Sequence, residues 1–525
     1  MLKKALHRYR YALLVLCFVG LWAAAQGLFL DAFPFVHSDE AWLGGLSRNM
    51  LQSGSMGVTE PFFDAKPRYP HAIKSLFHLL QMGFIRLFGY EITTLRALSV
   101  VGGALCLVLF YFAALRVLKT RGLAFLATVV LSVDIQFLYA SHFARQEILL
   151  CALLVACLVL LLRGEAMPPL KRALCLAVLT GLGVGLHPNS FLIATMCGLC
   201  LLREWLQNRK IGGRALALYV LVTACFAAVF VAISFAFDAQ FPMHYLAYGQ
   251  SEFELLVPLG EKASGLFGFF ARLFTRQSGT YYLPDIRLQL LVFPACALLC
   301  LAFALVMRKE QPQTANCLFT LLLAGAGLLA GMVLIGRYNQ TSILFLFPIG
   351  WLLTAFACRL FGQRLAHVLL AFGVAAVLFI SVQTIRPWLT QPSYQSYVAQ
   401  IQTLVPKDAR VLGNLNADFA FENGNLRDYR NLPFALAQSD MAAYIRQNDI
   451  RYILYSDELD YLYAHRPYYN VIYGNAMFCE ALRRFCLESC EEIGSFQNSV
   501  YGARIMPLVG DAQYGNVRVF RVKNK

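Results

Sequence analysis

The sequence predicts an α-helical polytopic membrane protein of about eleven transmembrane helices, followed by an external α/β domain. Composition is the first reason. The 525 residues are 58% hydrophobic and only 14% charged, with a mean hydropathy of +0.57, which is too apolar for a chain that folds in water. Apolar runs of spanning length recur between short basic loops, and this periodicity is the second reason. Third, the composition turns soluble after Arg386-Pro387. The membrane part is therefore read as 1–385 and the external domain as 386–525.

The first apolar run, 11–30, is long enough to cross a core of about 30 Å and lacks the small-residue cleavage site of a signal peptide, so it is expected to stay as a helix. Further runs lie at 95–118, 122–140, 146–162, 173–186, 190–202, 215–237, 288–307, 314–335, 342–360 and 366–385. The two flanking His187-Pro188-Asn189 are short, and read as tilted spans or as half-helices broken inside protein. Basic residues set the orientation: Lys3, Lys4, Arg8 and Arg10, then Lys119 and Arg121, Lys171 and Arg172, Arg209 and Lys210, Arg308 and Lys309, and Arg364 mark cytoplasmic loops. The outer side then holds loop 31–94, the turns at Arg145, His187 and Arg337, loop 238–287 and the C-terminal domain. The net charge of +15 is mostly this topology signal, and no nucleic-acid partner is read from it. Lys66, Arg68, Lys74, Arg86 and Arg96 break the rule on the outer side, either as a rim for anionic headgroups or as functional cations.

Loop 31–94 opens the outer side with the acid pair Asp39-Glu40. Ser38 reads as an N-cap, with two acids in the first turn of a helix that places Trp42, Leu46 and Met50 on one face. Acids at a helix start often only complement its dipole. At a membrane exit, ionisable groups more often serve function, so this loop is the candidate active site. Lys66 and Arg68, set between prolines, supply cations. The stretch 71–89 spaces Ile73, Leu76, Phe77, Leu80, Phe84, Leu87 and Phe88 helically, with Lys74, His78 and Gln81 opposite, and is expected to lie in the interface.

The next outer turns carry Arg145 with Glu147, read either as a snorkelling base and a helix-start acid or as site groups, and His187, a structural histidine or a ligand. Loop 238–287 is long and aromatic, which suggests a cover over a site. Its Tyr281 and Tyr282 suit stacking on sugar rings or an interfacial belt. Arg337-Tyr338 sits at the mouth of a late helix, where an arginine snorkels or holds a phosphate by its fork of donors. In the external domain, RVLGN, YILYS and VRVFRV read as strands, with helices near 434–447 and 476–487. The cysteines from Cys17 to Cys358 are scattered like small core residues. Cys479, Cys486 and Cys490 lie in the external domain, where an oxidising compartment permits one disulfide and leaves one thiol over.

These features together resemble the GT-C superfamily of integral-membrane glycosyltransferases, and are similar to the lipid A aminoarabinose transferases and relatives of protein O-mannosyltransferases. The segment that carries the resemblance is Asp39-Glu40 with a helix ending in Met50-Leu51, then Lys66-Pro67, then the Leu87-Phe88-Gly89 turn. By this resemblance Asp39 is the acid that acts as base or organises the acceptor, and Glu40 is its neighbour. Lys66 resembles a lysine near the donor phosphate, Arg145 and Glu147 a second motif more often written Arg-x-Asp, and Arg337-Tyr338 an Arg/His-Tyr pair. The departures are Glu147 for Asp, Arg68-Tyr69 where relatives have a second proline and an apolar residue, and His187-Pro188 in place of Lys-Gly.

The resemblance implies transfer of a sugar from a polyprenyl-phosphate-linked donor to a lipid, glycan or protein acceptor, inverting at carbon, on the external face of a bacterial inner membrane. Asp39 would deprotonate or polarise the acceptor hydroxyl, while Lys66, Arg145 and Arg337 hold the phosphate. From the residues themselves, Arg68 and Tyr338 are further candidates for the phosphate, and His187, Tyr281 and Tyr282 are candidates for contact with substrate. No cofactor is demanded, though Asp39, Glu40 and Glu147 are oxygen ligands suited to a divalent metal. Membrane lipids are the remaining partners. A flippase for lipid-linked sugars and a non-catalytic envelope assembly protein stay as alternative classes.

Overall fold

The computed structural model of the chain describes residues 2–253, 257–277, 281–336, 338–465, 474–498, 500–501 and 514–523. Sixteen helices build the membrane part: α1 (Leu2–Gly27), α2 (Ser38–Ser53), α3 (Ser75–Phe88), α4 (Ile92–Leu118), α5 (Arg121–Ser132), α6 (Ile135–His142), α7 (Glu147–Leu161), α8 (Pro169–Leu186), α9 (Ser190–Gln207), α10 (Arg209–Phe237), α11 (Phe241–Phe253), α12 (Leu259–Phe274), α13 (Arg287–Val306), α14 (Pro312–Ile335), α15 (Phe347–Arg359) and α16 (Gln363–Ile385). All eleven apolar runs fall on helices. Among the described residues, however, seven helical stretches are long and apolar enough to cross a membrane, or eight if α5 and α6, bent by 62° at their junction, form one span. Seven or eight full spans follow from length and composition, and the count of eleven is not confirmed. α7 has 15 residues and the apolar part of α1 is short, while α9 carries the charged pair Arg203-Glu204 before its end at Gln207.

Loops alternate between the two ends of the bundle as the basic residues suggest. At one end Arg172 pairs with Glu204 (2.5 Å), Arg203 donates to Asn316 (2.7 Å), and Arg121 lies over Tyr11 (5.7 Å). Asp39, Arg145, Tyr281, Glu147 and Thr341 meet at the other, and there Asn189 donates to Ser342 (3.3 Å). At the break between α5 and α6, the buried Asp134 caps α6 through the Gln136 amide (2.9 Å) and accepts from Gln289 (2.8 Å) and Trp351 (3.1 Å). Its carboxylate is thus used to fix a bend.

The outer elements add detail to the sequence reading, and at Arg96 they correct it. α3 turns Phe77, His78, Gln81 and Ile85 inward, where Ser47 Oγ bonds both His78 (2.8 Å) and Gln81 (2.7 Å), and leaves Leu79, Leu80, Leu87 and Phe88 exposed. A helix at a membrane boundary shows lipid its apolar face, so the polar residues belong inside. Arg96 is neither rim nor free cation, since it is fully buried against Glu40. Loop 238–287 contains two helices, α11 and α12, with Met243, Leu246 and Phe267 exposed. α12 is tied to the mouth of α14, where Gly336 adopts φ +74 and a Cβ would meet the Lys262 side chain at 2.5 Å.

The C-terminal part is a small α/β domain, as expected. After α17 (Tyr394–Leu404) come β1 (Val411–Gly413), β2 (Leu426–Asp428), α18 (Leu432–Ala435), α19 (Met441–Gln447), β3 (Tyr452–Ser456), α20 (Glu458–His465), α21 (Ala476–Ser489), β4 (Cys490–Gln497) and β5 (Asn516–Val522). The sheet order is β2-β1-β3-β5-β4, parallel across β2-β1-β3 and antiparallel across β3-β5-β4. Strand alternation divides its side chains. Leu412, Ile453, Tyr455 and Phe520 pack on α18 to α21, while Val411, Leu454, Val517 and Val519 join a core continuous with the membrane part. A buried ion pair fastens the two parts: Arg48 of α2 donates to both oxygens of Asp418 at 3.0 Å, and Tyr90 adds a bond of 2.7 Å. The thiols of Cys479, Cys486 and Cys490 are all free.

Candidate active site

The site begins with a cap. His37, in extended conformation, accepts from the Asp39 amide (3.1 Å), while Glu40 reaches back to the His37 amide (2.9 Å). His37 is thus the N-cap where Ser38 was expected. This capping box fixes the first turn of α2 and sends its two acids in opposite directions.

Glu40 goes inward. Arg96 grips both its oxygens at 2.8 Å, and the His37 and Ala144 amides add bonds of 2.9 and 3.0 Å. Arg96 also donates to the carbonyls of Leu30 and Pro34. With no exposed surface and four donors, Glu40 welds the loop to α4 and to the α6–α7 junction, and its expected catalytic part is not supported by this placement.

Asp39 goes outward and its side chain is 19% exposed. Its Oδ2 accepts from Arg145 Nη1 (2.6 Å) and from the Tyr281 hydroxyl (2.6 Å), while Arg145 Nη1 also donates to Tyr281 (2.8 Å). Arg145 Nη2 bonds Glu147 Oε1 (2.9 Å), which accepts from Thr341 as well (3.0 Å). The second oxygen of Glu147 is buried without a hydrogen-bond partner. The His37 ring stacks on Tyr281 at 4.5 Å and 17°, and its Nδ1 lies 3.6 Å from Asp39 Oδ1. Burial opposes the charge of Arg145, but Glu147, Tyr281 and Asp39 outweigh it and hold the guanidinium protonated. The structure thus brings together Asp39, Arg145, Glu147 and Tyr281 from three outer segments. It adds His37 and Thr341, which sequence reasoning missed. His37 had a local signal, a histidine three residues before a glutamate at a helix start. Thr341 had none, since it meets Glu147 across 194 residues.

A second cluster lies along loop 54–74. Arg68 grips Glu60 through two bonds (2.9 and 2.7 Å), Trp42 donates to the same carboxylate (2.5 Å), and the guanidinium lies 4.6 Å from the Tyr248 ring of α11. Arg68 is therefore paired, which corrects its expected part in phosphate binding. Burial pushes the Glu60 carboxyl up, but the Arg68 charge and the hydrogen bonds of Arg68 and Trp42 outweigh it and hold it at about 2. Lys66 is half-buried, with its Nζ 5.8 Å above the Phe63 ring. Its backbone is set by the external domain: Asn431 Oδ1 accepts from the Ala65 and Lys66 amides (3.2 and 3.1 Å) and Asn431 Nδ2 donates to the Phe62 carbonyl (2.9 Å).

The other expected residues fall outside these clusters. Tyr282 is buried among Phe33, Phe35, Tyr139 and Trp388, a core role in place of sugar stacking. Tyr338 stacks on Phe269 (5.7 Å) and donates to the Lys262 carbonyl, so it secures α12. His187 caps the end of α8 and accepts from the Asn189 amide (3.0 Å). Arg337 lies outside the described residues. As for a metal, the Arg145 guanidinium stands between the Asp39 and Glu147 carboxylates, where a shared ion would have to sit, and Glu40 is engaged with Arg96. The residues present do not fit such an ion, and no step is assigned to one.

No protein-family profile and no curated protein sequence matches the chain. Solved structures do. ArnT from Cupriavidus metallidurans, crystallised bound to undecaprenyl phosphate, is 16% identical with a TM-score of 0.52, over 98% of this chain and 99% of that one. The oligosaccharyltransferase of Archaeoglobus fulgidus, crystallised with zinc and sulfate, is 13% identical with a TM-score of 0.54, over 89% of this chain and 70% of that one. The same archaeal enzyme tethered to an acceptor peptide containing the NVT sequon gives 12% and 0.51, over 90% and 72%. Both are GT-C glycosyltransferases, and at these identities what the chain shares with them is the GT-C fold.

Proposed function

We propose that the chain is an integral-membrane glycosyltransferase that moves a sugar from a polyprenyl-phosphate-linked donor to an acceptor hydroxyl, at the end of the bundle where Asp39 lies. The observation that carries this reading is the arrangement around Asp39: an outward carboxylate at a helix start, oriented by Arg145 and Tyr281 at 2.6 Å each. The capture of undecaprenyl phosphate by ArnT, which shares the fold, supports a polyprenyl phosphate as carrier.

The reaction is a single displacement. The acceptor oxygen forms its bond to the anomeric carbon while the bond from that carbon to the phosphate oxygen breaks, which inverts the centre. The acceptor proton passes to Asp39, and polyprenyl phosphate leaves with the bonding electrons. A phosphate needs little protonation on departure, so a nearby cation suffices. Lys66 fills that part, with Arg337 as its companion. Arg145, held between two carboxylates, acts by orienting Asp39 and Glu147. By the positive-inside rule the end of the bundle where Asp39 lies is the non-cytoplasmic side, and the likeness to ArnT supports reading it as the periplasmic face of a bacterial inner membrane.

The test uses purified protein in nanodiscs with a radiolabelled lipid-phosphate sugar. Consumption of the donor only when acceptor is present is expected. Intact donor delivered across a proteoliposome membrane would instead make the chain a transporter.

A further inference from the structure

The external sheet carries an open cleft of about 470 Å³ lined by Asp457, Asp460, Tyr514, Asn516 and Arg518. Topology sets its place. β5 runs antiparallel to β3, so the carboxyl end of β3 lies beside the amino end of β5: Ser456 pairs with Val517, and the Asp457 amide donates to the Asn516 carbonyl. Ligands of α/β sheets gather outside the carboxyl ends of parallel strands, where loops diverge. The same end of the sheet carries the turn after β1, whose Asp418 pairs with Arg48 of α2. The cleft therefore lies at the end of the external domain that docks on the membrane part.

Its lining holds opposed groups that do not satisfy one another. Arg518 Nε is 3.7 Å from Asp457 Oδ1 and Nη2 is 3.7 Å from Asp460 Oδ2, beyond hydrogen-bond reach. The Nε is buried and has no hydrogen-bond partner. The guanidinium is instead set by its face, 4.8 Å over Tyr455 and 5.8 Å over Phe520. Asp460 is oriented by the Tyr455 hydroxyl (2.8 Å), and Tyr514 by His465 (3.0 Å) and by Tyr461, edge-on at 5.0 Å. Two carboxylates repel an anion. A divalent cation finds Arg518 between them, and among the described residues no group of three His, Cys, Asp or Glu side chains is placed to hold one. Carboxylate acceptors facing guanidinium and carboxamide donors, beside a phenol ring, suit the adjacent hydroxyls of a sugar, each of which both donates and accepts.

We propose that this cleft binds a sugar, uncharged or bearing an amine, that belongs to the acceptor, so that the external domain holds a carbohydrate while a hydroxyl is presented to Asp39. The assignment to the acceptor rests on the glycosyltransferase reading; the binding itself does not.

The experiment titrates full-length protein in nanodiscs with maltotriose and with glucosamine, using glucose 6-phosphate and calcium chloride as contrasts, and reads saturation-transfer NMR and calorimetry. Saturable binding of maltotriose or glucosamine, weakened about tenfold or more by Asp457→Asn and by Asp460→Asn, is expected. Both replacements keep shape at partly exposed positions, 20% and 31%, and an unchanged melting midpoint confirms folding. Absence of saturable sugar binding, equal affinity in both variants, or calcium binding abolished by the same replacements would overturn the proposal. In the transfer assay the variants should raise the acceptor KM and leave kcat alone, and an unchanged KM would remove the assignment to the acceptor. Sugar binding without any transfer would keep the cleft and reject the glycosyltransferase reading.

Discussion

Replacing Glu40 should unfold the protein before it tells anything about chemistry. Its carboxylate receives four bonds of 2.8 to 3.0 Å, two from Arg96 and two from backbone amides, and neither Glu40 nor Arg96 has exposed surface. Glu40→Ala leaves a guanidinium charge buried and unpaired, a loss of about 3–5 kcal/mol. It also strands the His37 and Ala144 amides, at about 1–3 kcal/mol each where water does not reach them. These terms overlap, so about 3 kcal/mol is the floor. Arg96→Met should cost a similar amount, and the double variant Glu40→Leu with Arg96→Met should be more stable than either single one, because no lone charge remains. The assay is thermal unfolding in detergent at one scan rate, since membrane proteins seldom refold on cooling. A Glu40→Ala protein with the wild-type midpoint and lost turnover would refute this reasoning and return Glu40 to the chemistry.

Three further outcomes follow from Glu60, Asn431 and Asp418. Glu60 has a carboxyl held at about 2 by Arg68, below its unfolded value of about 4.3. Its contribution is therefore fully present above that value and lost as pH falls through about 2, so the melting difference between wild type and Glu60→Gln should be constant near neutrality and shrink between about pH 4 and 2; a difference that grows there would contradict the pairing. Asn431→Ala frees the Lys66 backbone and should raise the donor KM about tenfold with kcat kept, in the direction of Lys66→Ala, while Asn431→Asp, which still accepts from both amides, should do less. Steady-state kinetics at varied donor decide it, and unchanged KM in both Asn431→Ala and Lys66→Ala would show that the loop does not meet the donor. Asp418→Asn weakens the buried pair with Arg48 and the bond from Tyr90, and should cost about 3 kcal/mol in thermal unfolding; an unshifted midpoint would mean that the two parts are held by apolar contact alone.

The membrane architecture was legible because hydropathy and basic loops report it directly, and Asp39 stood out because a carboxylate at a membrane exit is costly. The division of labour in the acid pair was not. Asp39 and Glu40 are neighbours with the same chemistry, and only the capping turn and the distant Arg96 decide which one faces out. The same limit applies to Arg68 and Glu60, eight residues apart with no helical spacing between them, and to the polar face of α3, where His78 and Gln81 turn inward onto Ser47, 31 and 34 residues away. Tyr281 and Tyr282 show it most plainly. One residue's difference along the chain sends one ring to Asp39 and the other into the core.

The central claim is that Asp39 accepts the acceptor proton. Asparagine at 39 preserves shape and remains a good residue for a helix start, so folding should stand, with the cost limited to about 1 kcal/mol. It cannot take a proton, so turnover of Asp39→Asn in nanodiscs at saturating donor should fall by about 10²-fold or more against wild type. Near-wild-type turnover in the folded variant would contradict the account.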